Sequence, residues 1–159
     1  MMHMHHEPVD PLLLSCACTT VRKAGRAVGR IYDAALATAG MNANQLAILR
    51  ALGRNGPMPL SRLAAAMVMD RTSLYRALDP LERSGWIEVD QAPSGRARIA
   101  RLTPAGERAR DGAAAAWESA QSRVVAAFGT ESWRDLSGQL VHLIEVARRL
   151  ETAQAGAGA

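Results

Sequence analysis

A pair of short helices separated by a tight turn constrains the fold of this chain most. Pro59 suits the first position of a helix over Leu60–Met67, because a proline there loses no intrahelical hydrogen bond. After a two-residue turn, Asp70 can cap a second helix that runs to Gly85, with a kink expected at Pro80. This arrangement predicts a helix-turn-helix.

A hairpin is predicted directly after these helices. Trp86–Asp90 and Ala97–Leu102 read as strands, and the residues between them include the proline, serine and glycine typical of a turn. Their alternation assigns Ala97 and Ile99 to the apolar face. Since an isolated hairpin is barely stable, we expect this one to pack against the helices.

Two amphipathic helices are predicted before this central segment. Apolar residues recur at steps of three and four from Leu14 until Gly40, where glycine favours a helix end. A second apolar stripe spans residues 43–53, and Asn42 with Gln45 matches a capping box at its start.

Two further helices are predicted after the hairpin. Thr103 caps the first, with Pro104 at its first helical position, and its apolar stripe continues to Gly129. The last helix extends from Thr130 to Leu150. The predicted fold is therefore mainly helical. The terminal helices have more apolar surface than one compact monomer can easily cover, which favours a homodimer.

The positive charge of the chain is concentrated in its middle. Residues 50–110 contain eleven arginines and six acidic residues, a net charge of +5. The same count gives +1 for residues 1–49, from four basic and three acidic residues, and −2 for residues 111–159, from four and six. A localised excess of arginine favours a polyanionic partner, although a solvated arginine-rich surface has the same composition.

Several classes of protein are disfavoured by the sequence. It has no run of eighteen apolar residues and no convincing signal peptide, so we expect a cytoplasmic protein with no membrane association. Two cysteines are too few for a disulfide framework, and no metal-ligand spacing occurs. The common catalytic motifs and phosphate-binding loops are missing, so neither an enzyme nor a cofactor is expected.

Three stretches of the chain resemble the MarR family of transcriptional regulators, over roughly residues 12–150. They are AGMNANQLAILRAL, LSRLAAAMVMDRTSLYRALDPLERSGWI and GRARIARLTPAG. The resemblance implies a winged helix-turn-helix whose DNA-binding lobe spans about 42–103. Helices over about 12–40 and 104–150 would form the dimerisation region, with a disordered leader at 1–11 and a flexible tail at 151–159.

The resemblance also implies which residues contact DNA. The helix that starts at Asp70 would enter the major groove, and the hairpin, called the wing, would approach the minor groove. The family commonly has Ser or Thr where this chain has Pro59, and usually Asp where it has Ser94, two residues before the wing arginine Arg96. The implied DNA-binding residues are Arg62, Asp70, Arg71, Thr72, Ser73, Tyr75, Arg76, Arg96 and Arg98.

We therefore expect a homodimeric repressor that binds a pseudo-palindromic operator in double-stranded DNA. A small aromatic or phenolic ligand, or cysteine oxidation, would release it. The candidate sensor residues are Cys16, Cys18, Arg22, Arg26 and Trp117. The alternatives are a nonspecific architectural DNA binder and a winged-helix module that binds proteins.

Overall fold

The computed structural model describes residues 16–92, 95 and 97–157. The predicted leader and the wing residues Ser94 and Arg96 lie outside these ranges. The elements are α1 (Ala17–Leu36) with a 3-10 turn (Ala37–Ala39), α2 (Ala43–Asn55), β1 (Met58–Pro59), α3 (Leu60–Met67), α4 (Arg71–Arg83), β2 (Ile87–Gln91), β3 (Arg98–Leu102), α5 (Pro104–Gly112), α6 (Ala114–Phe128) and α7 (Thr130–Ala157). The chain divides into two compact units between Ala120 and Gln121.

The core of the first unit is formed by leucines spaced three or four residues apart on successive helices. Such spacing aligns side chains along one helix face. The core includes the fully buried residues Leu36, Leu46, Leu49, Leu52, Leu63, Leu74, Leu78 and Leu81. The same packing directs the opposite face of α4 toward solvent.

The connection between α1 and α2 is fixed by local hydrogen bonds, and the predicted capping box is confirmed. The Asn42 side chain accepts a hydrogen bond from the N–H of Gln45, and the Gln45 side chain accepts one from the N–H of Asn42, both at 2.9 Å. The carboxylate of Asp33 accepts a further bond from the N–H of Ala43 at 2.8 Å. Gly40 adopts the left-handed conformation that ends the preceding turn.

The sheet has three antiparallel strands in the order β1-β3-β2, where the sequence predicted two. The added strand pairs Met58 with Ala100 and Pro59 with Ile99. The prediction that Pro59 is the first residue of α3 is therefore wrong, because Pro59 belongs to β1 and α3 begins at Leu60. A two-residue strand has no detectable periodicity, so only its pairing with β3 identifies it.

The buried face of the wing also differs from the prediction by one residue. Ala100 is fully buried and Ala97 is exposed, while Ile99 is only partly buried. A shift of one residue exchanges the two faces of a strand. Arg98 and Leu102 therefore lie on the same face as Ala100, toward the helices.

The later helices differ from the prediction at two points. The helix expected from Thr103 to Gly129 is interrupted at the buried Ala113, although backbone hydrogen bonds continue across this residue. Helix α7 continues to Ala157, where a flexible tail had been predicted from residue 151. Three of residues 151–157 are alanine, which has the highest helix propensity and favours the extension.

Helix α4 continues through Pro80 to Arg83, and the expected bend there stays a prediction.

One junction joins the wing to the helices on both sides of it. The Thr103 hydroxyl donates a hydrogen bond to the Gly85 carbonyl at 2.6 Å and accepts one from the N–H of Gly106 at 3.0 Å, as predicted for the cap of α5. The N–H of Thr103 donates to the Trp86 carbonyl at 3.1 Å. A methyl group on Gly106 would lie 2.0 Å from that carbonyl oxygen, so the contact requires glycine.

Among the described residues, no helix is both long enough and apolar enough to cross a membrane.

Replacing Gly106 by alanine is expected to lower the free energy of unfolding by about 1 to 3 kcal/mol, because the backbone at Trp86 must move. Gly112→Ala is the matched control, since an added methyl group there meets no atom within 4 Å. Urea denaturation of both variants measures the difference. Equal stability of the two variants would contradict the proposed close contact.

Candidate nucleic-acid interface

The start of α4 is organised by a helix cap. The carboxylate of Asp70 accepts hydrogen bonds from the N–H of Ser73 at 2.8 Å and from its hydroxyl at 2.6 Å. The Ser73 hydroxyl and then its N–H hold the pKa of Asp70 below its ordinary value. The predicted cap is therefore present, and these two side chains, both expected to contact DNA, are already bonded to each other.

The outer face of α4 presents Thr72 and Arg76 to solvent. Leu74 and Leu78 are buried on the inner face, and a helix of 3.6 residues per turn directs residues 72 and 76 to the other side. One turn further along, Arg83 forms an ion pair with Asp79. The free positive charge of this face therefore lies near the start of the helix.

A groove of about 400 Å³ separates α3 and α4 from the wing. Tyr75 lies in it, with the Cζ atom of Arg71 5.7 Å from the centre of its ring and that of Arg98 5.4 Å away. Interactions of the phenol oxygen with Arg71 and then with Arg98 lower the pKa of Tyr75. The groove therefore brings an arginine of the helix and an arginine of the wing to one tyrosine.

The arginines of this unit fall into paired and unpaired groups. Arg101, on the outer face of the wing, forms ion pairs with Asp90 and, at 3.9 Å, with Glu88. Within the described ranges, no carboxylate lies at ion-pair distance from a second group, which consists of Arg62, Arg71, Arg76 and Arg98. Arg62 is exposed on α3. This second group combines positive charge with access to solvent.

The predicted sensor arginines are not in the hollow that contains Trp117. Arg22 and Arg26 line a separate depression on α1. The Trp117 ring instead lies under the Arg50 guanidinium, whose Cζ is 3.8 Å from the ring centre. Arg50 was not among the predicted sensor residues. Arg50 and Arg54 lie four residues apart and therefore on one face of α2, and this spacing could have indicated a cationic site there, although not its contact with Trp117.

The hollow beside Trp117 measures about 420 Å³ and is rich in arginine. Burial lowers the pKa of Arg50, as do the charges of Arg54 and Arg110, whereas Glu118 opposes the shift. Arg110 forms an ion pair with Asp111 at 2.8 Å, and its guanidinium lies beside Gly53 in the space that a side chain there would occupy. The hollow therefore combines an aromatic wall with an excess of positive charge.

Cys16 and Cys18 are both exposed and unbridged at the start of α1. Cys16 has an extended backbone outside the helix, whereas Cys18 belongs to its first turn. Hydrogen bonds from the Thr19 hydroxyl and then from its N–H lower the pKa of the Cys16 thiol. The lower pKa increases the fraction of thiolate, which is the reactive form.

Comparison with known proteins identifies the family. The model described as MarR family matches residues 41–96. The M. tuberculosis transcriptional regulator MosR, solved in complex with DNA, is 30% identical with a TM-score of 0.77, over 84% of this chain and 97% of that one. A second crystal structure of M. tuberculosis MosR is 32% identical with a TM-score of 0.73, over 84% of this chain and 96% of that one.

A more distant structure shares the fold. CouR from Rhodococcus jostii RHA1, bound to p-coumaroyl-CoA, is 19% identical with a TM-score of 0.70, over 85% of this chain and 96% of that one. No curated protein sequence matched the chain. The family-model match, together with the near-complete coverage of MosR, establishes that this chain belongs to the MarR family of transcriptional regulators.

Proposed function

We propose that this chain represses transcription by binding a pseudo-palindromic operator as a homodimer. Helix α4, the recognition helix, would enter the major groove of each half-site. The observation that carries this proposal is the exposed start of α4, which presents Arg71, Thr72 and Arg76 to solvent. Among the described residues, no carboxylate lies at ion-pair distance from either arginine. The structure of MosR in complex with DNA supports it.

Each exposed group has a distinct proposed role. Arg76 and Thr72 face away from the core and would contact base edges, since arginine can bind guanine through two hydrogen bonds. Arg62 on α3 and Arg98 on the wing would bind phosphates. Arg96 is assigned to the minor groove from the resemblance alone. Asp70 and Ser73 would act by holding the start of α4.

Exposed apolar side chains favour the homodimer. On α1 they include Val21, Val28 and Ile31. On α7 they include Val141, Leu143, Ile144 and Leu150. Burying such side chains against a second copy would remove them from water. Two recognition helices related by a two-fold axis would then reach half-sites about one helical turn apart.

The proposed activity is binding and involves no catalysis. We propose that the protein acts in the cytoplasm, in contact with its operator DNA.

Two other functions differ from this one in a measurable way. An architectural protein would bind any duplex with similar affinity, and a protein-interaction module would not need the unpaired arginines of α4.

Selection of random duplexes with purified protein, followed by salt titration of the best one, tests the proposal. We expect an enriched inverted repeat. Arg76→Ala should weaken binding to that repeat by about 1 to 3 kcal/mol and relax base preference at one position per half-site. Arg83→Ala is the matched control, because Arg83 lies at the far end of the same helix and is already paired with Asp79.

Three outcomes would contradict this assignment. Selection without an enriched motif would favour the architectural protein or the interaction module. Equal affinity of the Arg76→Ala and Arg83→Ala variants would remove Arg76 from the interface. A uniform loss across all duplexes in Arg76→Ala would make this residue a phosphate contact.

For ligand sensing, we propose that the hollow beside Trp117 binds a small aromatic or phenolic acid. Arg50 and Arg54 would bind the carboxylate, and Trp117 would supply an apolar wall. The distantly related CouR was solved with p-coumaroyl-CoA, an aromatic acyl compound. Because Arg50 belongs to the helix that precedes the helix-turn-helix, a ligand there could shift the spacing of the recognition helices.

Calorimetric titration with salicylate as the probe tests this site. Arg50→Ala is expected to weaken binding at least about tenfold, the factor that corresponds to about 1.4 kcal/mol. Arg26→Ala is the matched control, because Arg26 lines the separate depression on α1. Loss of binding in Arg26→Ala but not in Arg50→Ala would favour the original sensor residues.

Cysteine oxidation is the alternative mode of sensing, favoured by the exposure and lowered pKa of Cys16. A Cys16–Cys18 disulfide would form as the two thiols lose two electrons and two protons to hydrogen peroxide, which becomes two molecules of water. Cys16 already lies outside α1, so only the first helical turn would have to unwind. That turn includes a hydrogen bond from the Thr20 hydroxyl to the Cys16 carbonyl.

If the thiols sense oxidant, peroxide should release the wild-type protein from its operator, and Cys16→Ser and Cys18→Ser should each abolish the release. Gel-shift titrations with and without peroxide measure this effect, and dithiothreitol should reverse it in the wild type. Release that persists in both serine variants would exclude this pair.

A further inference from the structure

We infer that Tyr75 is a positioning residue that couples the recognition helix to the wing. The guanidinium groups of Arg71 and Arg98 both lie near its ring, with their Cζ atoms 5.7 and 5.4 Å from the ring centre. Both distances fall within about 6 Å, where a cation is attracted to an aromatic face. Arg71 belongs to α4 and Arg98 to β3, so the tyrosine connects two elements that are far apart in sequence.

The location of Tyr75 on α4 suits this role. It follows the buried Leu74 and is itself only partly exposed, packed against the core of the first unit. Burial restricts the ring to few orientations, and a tyrosine side chain has only two rotatable χ angles. Its oxygen is the point toward which both guanidinium groups are attracted, consistent with the lowered pKa of the phenol.

The orientation of the Arg98 side chain depends on Tyr75 because of where Arg98 lies in the wing. It pairs with Gln91 in the last described rung of the β2–β3 ladder, at the end remote from the Thr103 junction. Arg101, on the opposite face, is oriented by Asp90, but within the described part of the chain no carboxylate lies at ion-pair distance from Arg98. The tyrosine supplies the contact that a carboxylate supplies elsewhere in the wing.

The consequence is an energetic coupling between the two DNA-binding elements. With Tyr75 in place, Arg98 is held in register with the recognition helix, so both can reach one half-site with little further ordering. Without it, the Arg98 side chain must be ordered on binding, at a cost in conformational entropy. Tyr75 then affects affinity through Arg98 and does not itself select a base. This inference rests on the proposed DNA binding.

A double-mutant cycle on the selected operator tests the coupling. Affinity is measured for the wild type, Tyr75→Leu, Arg98→Ala and the double variant. We expect Arg98→Ala to weaken binding at least about threefold more in the wild type than in the Tyr75→Leu background, within the range of couplings between contacting residues. A general loss of folding would weaken both backgrounds by the same factor and produce no such difference.

A parallel cycle with Arg62→Ala provides the control, because Arg62 lies on α3 and forms none of the ring contacts of Tyr75. It should be additive with Tyr75→Leu within about twofold. If Tyr75→Leu fails to fold by circular dichroism, Tyr75→Met replaces it. Methionine retains apolar packing at this position but has neither the aromatic ring nor the oxygen near both guanidinium groups.

The outcomes separate this inference from the proposed function. If the wild type selects an operator and Arg76→Ala weakens binding to it while the Tyr75–Arg98 cycle is additive, the coupling is overturned and the DNA-binding function stands. If the cycle is non-additive and the Arg62 control is additive, the coupling is supported. A wild type that selects no operator overturns both.

Discussion

The hydrogen bonds around Thr103 are the interaction on which the rest of the winged unit depends. The hydroxyl of this nearly buried residue bonds the end of the recognition helix, through Gly85, to the start of α5, through Gly106. Its N–H bonds to the carbonyl of Trp86 at the start of the wing. Four elements therefore meet at one residue, and a hairpin that would be unstable alone gains a fixed base.

The position of the wing in turn determines which arginines are available to a polyanion. Residues on the outer face of the sheet neutralise one another, as Arg101 does with Asp90. Residues on the inner face approach the recognition helix, where Arg98 and Arg71 share Tyr75. A stretch that is basic on average is thus separated into a neutral surface and a cationic groove. The net charge of the sequence could not make that distinction.

Predictions succeeded where the relevant interaction spans only a few residues. The caps at Asn42, Asp70 and Thr103 are formed by side chains bonding to N–H groups three residues ahead, so their local sequence was sufficient. The order of elements followed from apolar periodicity and from glycine and proline signals. The DNA-contact residues remain a prediction, and the structure adds that Asp70 and Ser73 are bonded to each other at the start of α4.

Predictions failed where the answer depended on a distant partner. Strand β1 exists because Met58 and Pro59 pair with residues about forty positions later, and the same register assigns Ala100, not Ala97, to the buried face. The partner of Trp117 proved to be Arg50 on α2, which no spacing rule relates to it.

The sequence by itself determined the helices, their caps and the mainly helical winged fold, because these follow from interactions along a short stretch of backbone. Only the tertiary structure decided which arginines are neutralised, which faces of the wing are buried and which side chains share a hollow. Charge pairing and burial depend on contacts between groups that are close in space, and the separation of two residues along the chain does not specify whether they are in contact.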